Sequence, residues 1–176
     1  MRKAQKHLDY VNLMTYDFFV ERGGKSGHHS NLYPSAFSPD APSAAASVAA
    51  FLRAGVPAGK LVLGIPFYGR GWKGANPANN GLYQEAAGAE SGYPWNSLAQ
   101  SYISKNGYTR WWDTGAKAPY LWKADEGRVV TYDDPDALKE KCRFVKRRNL
   151  GGVMFWEYSG DDAEHTLLRT LHDGLQ

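Results

Sequence analysis

Leu61-Val62-Leu63-Gly64-Ile65-Pro66-Phe67 is an unbroken apolar run of strand length. A run without polar alternation predicts a strand buried on both faces, the hallmark of parallel sheets sandwiched between other layers. It narrows the fold to α/β architectures, because a parallel neighbour needs a crossover that is usually helical. Two more stretches fit that demand. The first spans about 8–16, where Val11, Leu13 and Met14 predict a buried strand that delivers Tyr16-Asp17 at its carboxyl end. The other follows Gly151-Gly152 as Val153-Met154-Phe155-Trp156 and ends in Glu157-Tyr158-Ser159. The central run itself exits into Tyr68-Gly69-Arg70-Gly71-Trp72. Polar and aromatic groups thus gather at the carboxyl ends of three strands, where parallel α/β folds bind substrates.

Helical patterns lie after each strand. Pro42 opens one at a position where its missing N–H costs nothing, Ala45, Val48, Phe51 and Leu52 form its apolar stripe, and Gly55 and Pro57 close it. Asp134-Pro135 begins a second, running to about Arg148 with Asp134 as N-cap. The last carries Ala163, Leu167, Leu168 and Leu171 on one face, with Asp162-Ala163-Glu164 in its first turn. Between about 70 and 133 the pattern changes to short strands at Thr109–Trp112, Tyr120–Lys123 and Arg128–Tyr132, a helix near Ser97–Ser104 and frequent turns. That segment reads as a small α+β insertion, and no internal repeat is evident.

At 176 residues the chain has room for one good core, or one core plus a small satellite. A net charge of +3 points to no particular partner. The densest basic run (Lys139, Lys141, Arg143, Lys146, Arg147, Arg148) falls on the second helix and reads as a solvated face, so nucleic acid is not an expected partner. Cys142 is the only cysteine and sits at core spacing with Leu138 and Val145, which makes it an inert core thiol. His28 and His29 read as polar loop residues: no carboxylate or thiol follows at ligand spacing, and neither metal nor cofactor is expected. No apolar run reaches membrane-spanning length, and no signal-peptide apolar segment opens the chain. Six Trp, eleven Tyr and seven Phe, many beside Gly or Pro, supply the flat faces and polar tips that suit sugar rings, although a small aromatic-packed core would use them too.

Met14-Thr15-Tyr16-Asp17, then Gly64-Ile65-Pro66-Phe67-Tyr68-Gly69-Arg70-Gly71-Trp72, then Gly151-Gly152-Val153-Met154-Phe155-Trp156-Glu157, in this order, resemble the carboxyl-terminal part of the glycoside hydrolase family 18 chitinases. The resemblance covers nearly the whole chain. It implies an α/β fold, a partial (β/α)₈ TIM barrel made of the last three β/α units, over residues 1–69 and 134–176. Residues 70–133 would be the family's chitinase insertion domain, which walls one side of the substrate groove. The family's catalytic signature, Asp-x-x-Asp-x-Asp-x-Glu, which supplies the general acid, does not occur in these residues.

The resemblance further implies substrate-assisted, retaining hydrolysis of β-1,4 bonds between N-acetylglucosamine units, the acetamido carbonyl attacking the anomeric carbon. Tyr16 would donate to the acetamido oxygen and Asp17 would accept from a sugar hydroxyl or tune the acid. Met14 would be an apolar wall, Trp156 the floor under the sugar, Arg70 a hydroxyl or carboxylate partner, and Glu157 a supporting acid. Tyr93, Trp95, Tyr120 and Trp122 would line the groove. Plainer roles stand beside these: packing for Met14 and Trp156, a backbone-satisfied phenol for Tyr16, a structural ion pair for Arg70, a helix cap for Glu157. The implied partners are chitin or chito-oligosaccharides, and family habit implies a secreted enzyme. The alternative is a non-catalytic chitin-binding lectin. Unpaired outer strands would favour a homodimer or higher association.

Overall fold

The computed structural model describes residues 2–20 and 24–176. Its elements follow the chain as β1 (Val11–Leu13), α1 (Ala44–Arg53), β2 (Leu61–Pro66), β3 (Tyr68–Lys73), β4 (Gly88–Pro94), the single turn α2 (Trp95–Ser97), β5 (Thr109–Asp113), β6 (Ala118–Lys123), β7 (Arg128–Thr131), α3 (Pro135–Arg147), β8 (Gly152–Trp156) and α4 (Thr166–Leu175). They build two sheets. One is three-stranded and parallel, in the order β1-β2-β8; the other is five-stranded, in the order β4-β3-β7-β6-β5, with every pairing antiparallel.

The apolar run forms β2 at the centre of the parallel sheet, paired through Leu13↔Leu63 on one side and Ile65↔Phe155 on the other. Leu61, Leu63 and Ile65 are fully buried, with Leu13, Val11, Val153 and Phe155 packed on the same core as Val48 of α1, Leu138, Cys142 and Val145 of α3, and Leu167 and Leu171 of α4. Burying side chains of this size is worth about 1.5–3 kcal/mol each, and it is this face that holds the sheet. Phe67 and Phe155 extend it as a stacked pair, 4.6 Å between centroids. The opposite face of β1 and β8 is open: Tyr10, Met14 and Trp156 are 70%, 72% and 59% exposed.

Several local expectations change. The first strand covers Val11–Leu13 rather than 8–16, because the Thr15 amide donates to the Leu13 carbonyl at 2.9 Å and turns the chain off the sheet. Met14 therefore points to solvent, not into a buried strand. Helix α1 is capped by Ser43, whose hydroxyl accepts from the Ala46 amide, so Pro42 precedes the cap instead of occupying the first turn. Asp134 caps α3 as its sequence suggests. The last helix begins at Thr166, not Ala163: the Asp161 and Asp162 carboxylates accept from the amides of Leu167, Leu168 and Thr166, so Asp162-Ala163-Glu164 lies before the helix.

Tyr68–Lys73 is a strand of the second sheet, and β4 beside it carried no sequence signal. The helix near Ser97–Ser104 is only the turn α2, followed by a wider turn at Leu98–Tyr102. Lys141 breaks the solvated basic face. It is fully buried, ion-paired to Asp133, while Lys139, Arg143, Lys146, Arg147 and Arg148 stay exposed. His28 and His29 are buried as well, not loop polars.

Candidate functional site

Because β1, β2 and β8 run parallel, their carboxyl ends share one edge of the sheet, and the chain continues from those ends into Tyr16-Asp17, Tyr68–Arg70 and Trp156-Glu157. A cleft of about 470 Å³ opens there, lined by Tyr68, Arg70, Tyr93, Trp156, Glu157 and Ser159 among others. Tyr16 and Asp17 join it through two of these residues. The Arg70 guanidinium grips Asp17 with two parallel bonds, Nε to Oδ1 and Nη2 to Oδ2, both 2.9 Å. Such a fork is the strongest ordinary geometry for this pair and fixes both side chains. Tyr16 meets Tyr68 edge to face at 6.2 Å. Arg70 also lies over the Tyr68 ring, 5.1 Å from its centre.

Asp17 has φ of 59°, the left-handed turn that brings its carboxylate back toward β3. Partial burial alone would raise that carboxyl; the side chains of His29, Arg70 and Tyr68 outweigh burial and hold it far below the usual carboxylate range. Asp17 is therefore an anion at any working pH, an acceptor and not a proton donor. Burial, reinforced by the charge of Asp17, raises Tyr16 and Tyr68, so both phenols keep their protons. His29 lies beneath them, its Nδ1 3.6 Å from Asp17 Oδ1 and its ring 5.4 Å from that of Tyr68. Burial lowers the His29 pKa, which favours a neutral imidazole.

Of the expected site residues, Arg70, Trp156, Glu157 and Tyr93 line this cleft. Glu157 is exposed and accepts from the Ser159 hydroxyl at 2.9 Å; it precedes the short turn Tyr158–Gly160, but its side chain makes no capping bond to it. Tyr93 is 6% exposed; it packs on Gly71, where a side chain would collide with its ring, and donates to Glu90 Oε2 at 2.9 Å. Trp95, Tyr120 and Trp122 are buried instead of lining a groove. Trp95 donates its indole N–H to Asp162 Oδ2 at 2.9 Å, and Tyr120 and Trp122 pack with Trp72 and Val129 in the second core. Large rings such as Tyr120, Trp122 and Trp72 are what a small sheet with few strands uses to fill its interior. Met14 lies outside the cleft lining on the open sheet face.

Sequence reasoning missed Tyr68 and His29. The adjacent His28-His29 pair was the available signal, since two histidines in a Gly-rich segment are readily buried when each finds a carboxylate: Asp113 for His28 at 3.4 Å and Asp17 for His29. Among the described residues, no group of three or more His, Cys, Asp or Glu could hold a metal ion. Among the described residues, no helix is long and apolar enough to cross a membrane.

Residues 1–161 match the model of the family described as "Glycosyl hydrolases family 18". Chitinase A1 of Niallia circulans is 45% identical over 175 residues, covering 92% of this chain and 25% of that protein. The structure of a glycoside hydrolase family 18 N-acetylglucosaminidase from Paenibacillus barengoltzii is 44% identical and superposes with a TM-score of 0.93, covering 99% of this chain and 51% of that one. A class V chitinase variant from Nicotiana tobaccum in complex with NAG4 is 29% identical, with a TM-score of 0.83, covering 97% of this chain and 50% of that one. The chain thus spans a quarter of the first relative and about half of each structure.

Proposed function

The chain belongs to glycosyl hydrolases family 18, and from that membership we propose that it is the carboxyl-terminal portion of a chitinase, supplying contacts to N-acetylglucosamine units. The observation that carries this reading is the meeting of Trp156, the Arg70–Asp17 fork and the Tyr16–Tyr68 pair at the shared carboxyl edge of three parallel strands. Aromatic planes stack on sugar C–H faces, and a fixed anion beside protonated phenols offers both acceptor and donors to hydroxyl and acetamido groups.

In the reaction we assign to the parent enzyme, the acetamido oxygen of the bound sugar attacks its own anomeric carbon as the glycosidic bond breaks and the departing oxygen takes up a proton; water then adds to the anomeric carbon and opens the cyclic intermediate with net retention. The Tyr16 phenol, kept protonated by burial and by Asp17, donates to the acetamido oxygen and orients it for attack. Asp17 accepts from a sugar hydroxyl or tunes the acid, and Trp156 forms the floor. Residues 1–69 and 134–176 are the last three units of a (β/α)₈ barrel, and residues 70–133 its insertion domain; the antiparallel sheet formed by β3 to β7 supports that division. On this reading the open face bearing Tyr10 and Met14 turns toward the barrel interior. The parent enzyme is secreted.

Protonating the leaving oxygen falls to the Asp-x-x-Asp-x-Asp-x-Glu segment, which these residues do not contain. The isolated chain therefore binds without turning over, as a lectin would. Its unpaired outer strands β1 and β8 promote dimers or larger assemblies, which light scattering would register. A fluorogenic chito-oligosaccharide assay paired with titration of the unlabelled oligomer tests the central claim. Binding of chito- but not cello-oligosaccharides, with no release of fluorophore, is the expected outcome. Equal binding of both sugars would remove the acetamido assignment, and robust turnover would remove the claim about the acid.

A further inference from the structure

The parallel ladder between β1 and β2 stops at Leu13↔Leu63, one residue before Gly64. At that point the Thr15 amide turns back to the Leu13 carbonyl, so the β1 backbone no longer faces β2. Both polar groups of Gly64 would then lack partners on that side, in a buried position where an unmade bond is expensive. The Thr15 side chain takes them both: its hydroxyl donates to the Gly64 carbonyl at 2.8 Å and accepts from the Gly64 amide at 3.1 Å. Thr15 is itself 1% exposed. A single hydroxyl thus replaces a rung of backbone ladder and lets the main chain leave the sheet without an orphaned donor or acceptor.

The exit has a direct consequence for the residues that follow. The Tyr16 ring comes down over Gly64, with its Cε1 2.9 Å from where a β-carbon on Gly64 would stand. Met154 fills the other side of the same gap at 3.0 Å. The Leu13 carbonyl oxygen stands closer still, so the glycine admits both the turning β1 backbone and the ring that follows it. One residue on, Asp17 takes its left-handed turn and reaches Arg70.

We propose that Thr15 is a positioning residue: its two bonds to Gly64 fix the end of β1 and thereby set the Tyr16 ring over Gly64 and the Asp17 carboxylate in the Arg70 fork. Thr15 touches no substrate and acts through Tyr16 and Asp17. The effect on sugar affinity rests on the function proposed above, whereas the placement of the ring does not.

The test uses Thr15→Ser, which keeps the hydroxyl, and Thr15→Ala, which removes it and leaves room for water to satisfy Gly64 so that folding is preserved. Two readouts are taken on each: the ligand-free nuclear Overhauser contact between the Tyr16 ring and the Gly64 α-protons, and the affinity for chitotetraose. Thr15→Ser should retain the contact and the affinity. Thr15→Ala should lose the contact and bind about tenfold more weakly. A folded Thr15→Ala that keeps the contact overturns the proposal, as does a folded Thr15→Ser that loses it. If the contacts behave as stated but chitotetraose titrates none of the proteins, including the unmodified one, the amino-sugar reading fails and the positioning role stands.

Discussion

Replacing Trp156 by alanine isolates the proposed sugar floor from everything else the chain does. The ring is 59% exposed, so it contributes little to the folded state, and its removal should move the unfolding free energy by less than about 1 kcal/mol. Its contribution to binding follows from the same exposure. A tryptophan side chain presents roughly 250 Å², so 59% leaves about 150 Å² free, and one face of the ring about half of that. Covering ~75 Å² of apolar surface at ~25 cal/mol/Å² is worth about 2 kcal/mol, a factor of roughly twenty to thirty in Kd. Isothermal titration of chitotetraose against the unmodified chain and Trp156→Ala, with a urea melt of each, measures both quantities. The expected result is an affinity drop of that size with overlapping melts. An affinity within twofold of the unmodified chain would refute the floor, and a melt shifted by several kcal/mol would show that the ring is core after all.

Three other perturbations bear on the electrostatics. Arg70→Gln removes the fork that helps hold the Asp17 carboxyl down, so its titration, followed by carboxyl carbon shifts, should move up toward the ordinary range; an unmoved midpoint would mean that Arg70 is only a neighbour. Asp113 is buried, and though burial raises its carboxyl, the His28 ring 3.4 Å away and bonds from the Ser35 hydroxyl and the Ala116 amide hold it at about 2. A lowered folded pKa stabilises above the unfolded value, so this group contributes about 2 kcal/mol at neutral pH that disappears as pH falls from about 4 to 2. The stability gap between the unmodified chain and Asp113→Asn should close over that window, and a gap constant with pH would exclude the mechanism. Lys141→Ala strands the Asp133 charge in the core and should cost about 3–5 kcal/mol in a urea melt, against about 0.5 or less for Lys139→Ala on the same helix. Similar costs for the two would contradict the buried pair.

The parallel layer was legible because its signals are strong and local. Seven apolar residues in a row leave a strand little choice but to be covered on both faces, and Asp134-Pro135 states a helix start by capping chemistry alone. The second sheet was only half legible. Three of its strands announce themselves between turns, but Tyr68–Lys73 alternates glycine with large residues, and Gly88–Pro94 carries little β-branched or aromatic content. Those strands exist because β3 finds β7 on one side and β4 on the other, a tertiary pairing that neither segment encodes by itself. Lys141 illustrates the same limit: helical spacing put it among basic neighbours, and only the partner Asp133, supplied by the preceding loop, makes an inward lysine tolerable.

The aromatic residues divide along a line that composition could not draw. Trp156 closes β8 and Trp122 stands one residue before the end of β6, yet one is 59% and the other 7% exposed. The difference lies in what each strand end meets. Trp122 is paired with Val129 on β7 and overlaid by Gly81, so close that any side chain there would strike its ring. Trp156 ends an outer strand, on the face that is open at Tyr10, Met14 and Trp156 itself. A ring held by its strand but not covered is available to a ligand, and the Arg70–Asp17 fork next to it is held just as firmly. Rigid placement with solvent on one side is the condition under which binding costs little ordering, which is why the proposed recognition role goes to the exposed aromatic at the parallel edge and not to the buried ones in the second sheet.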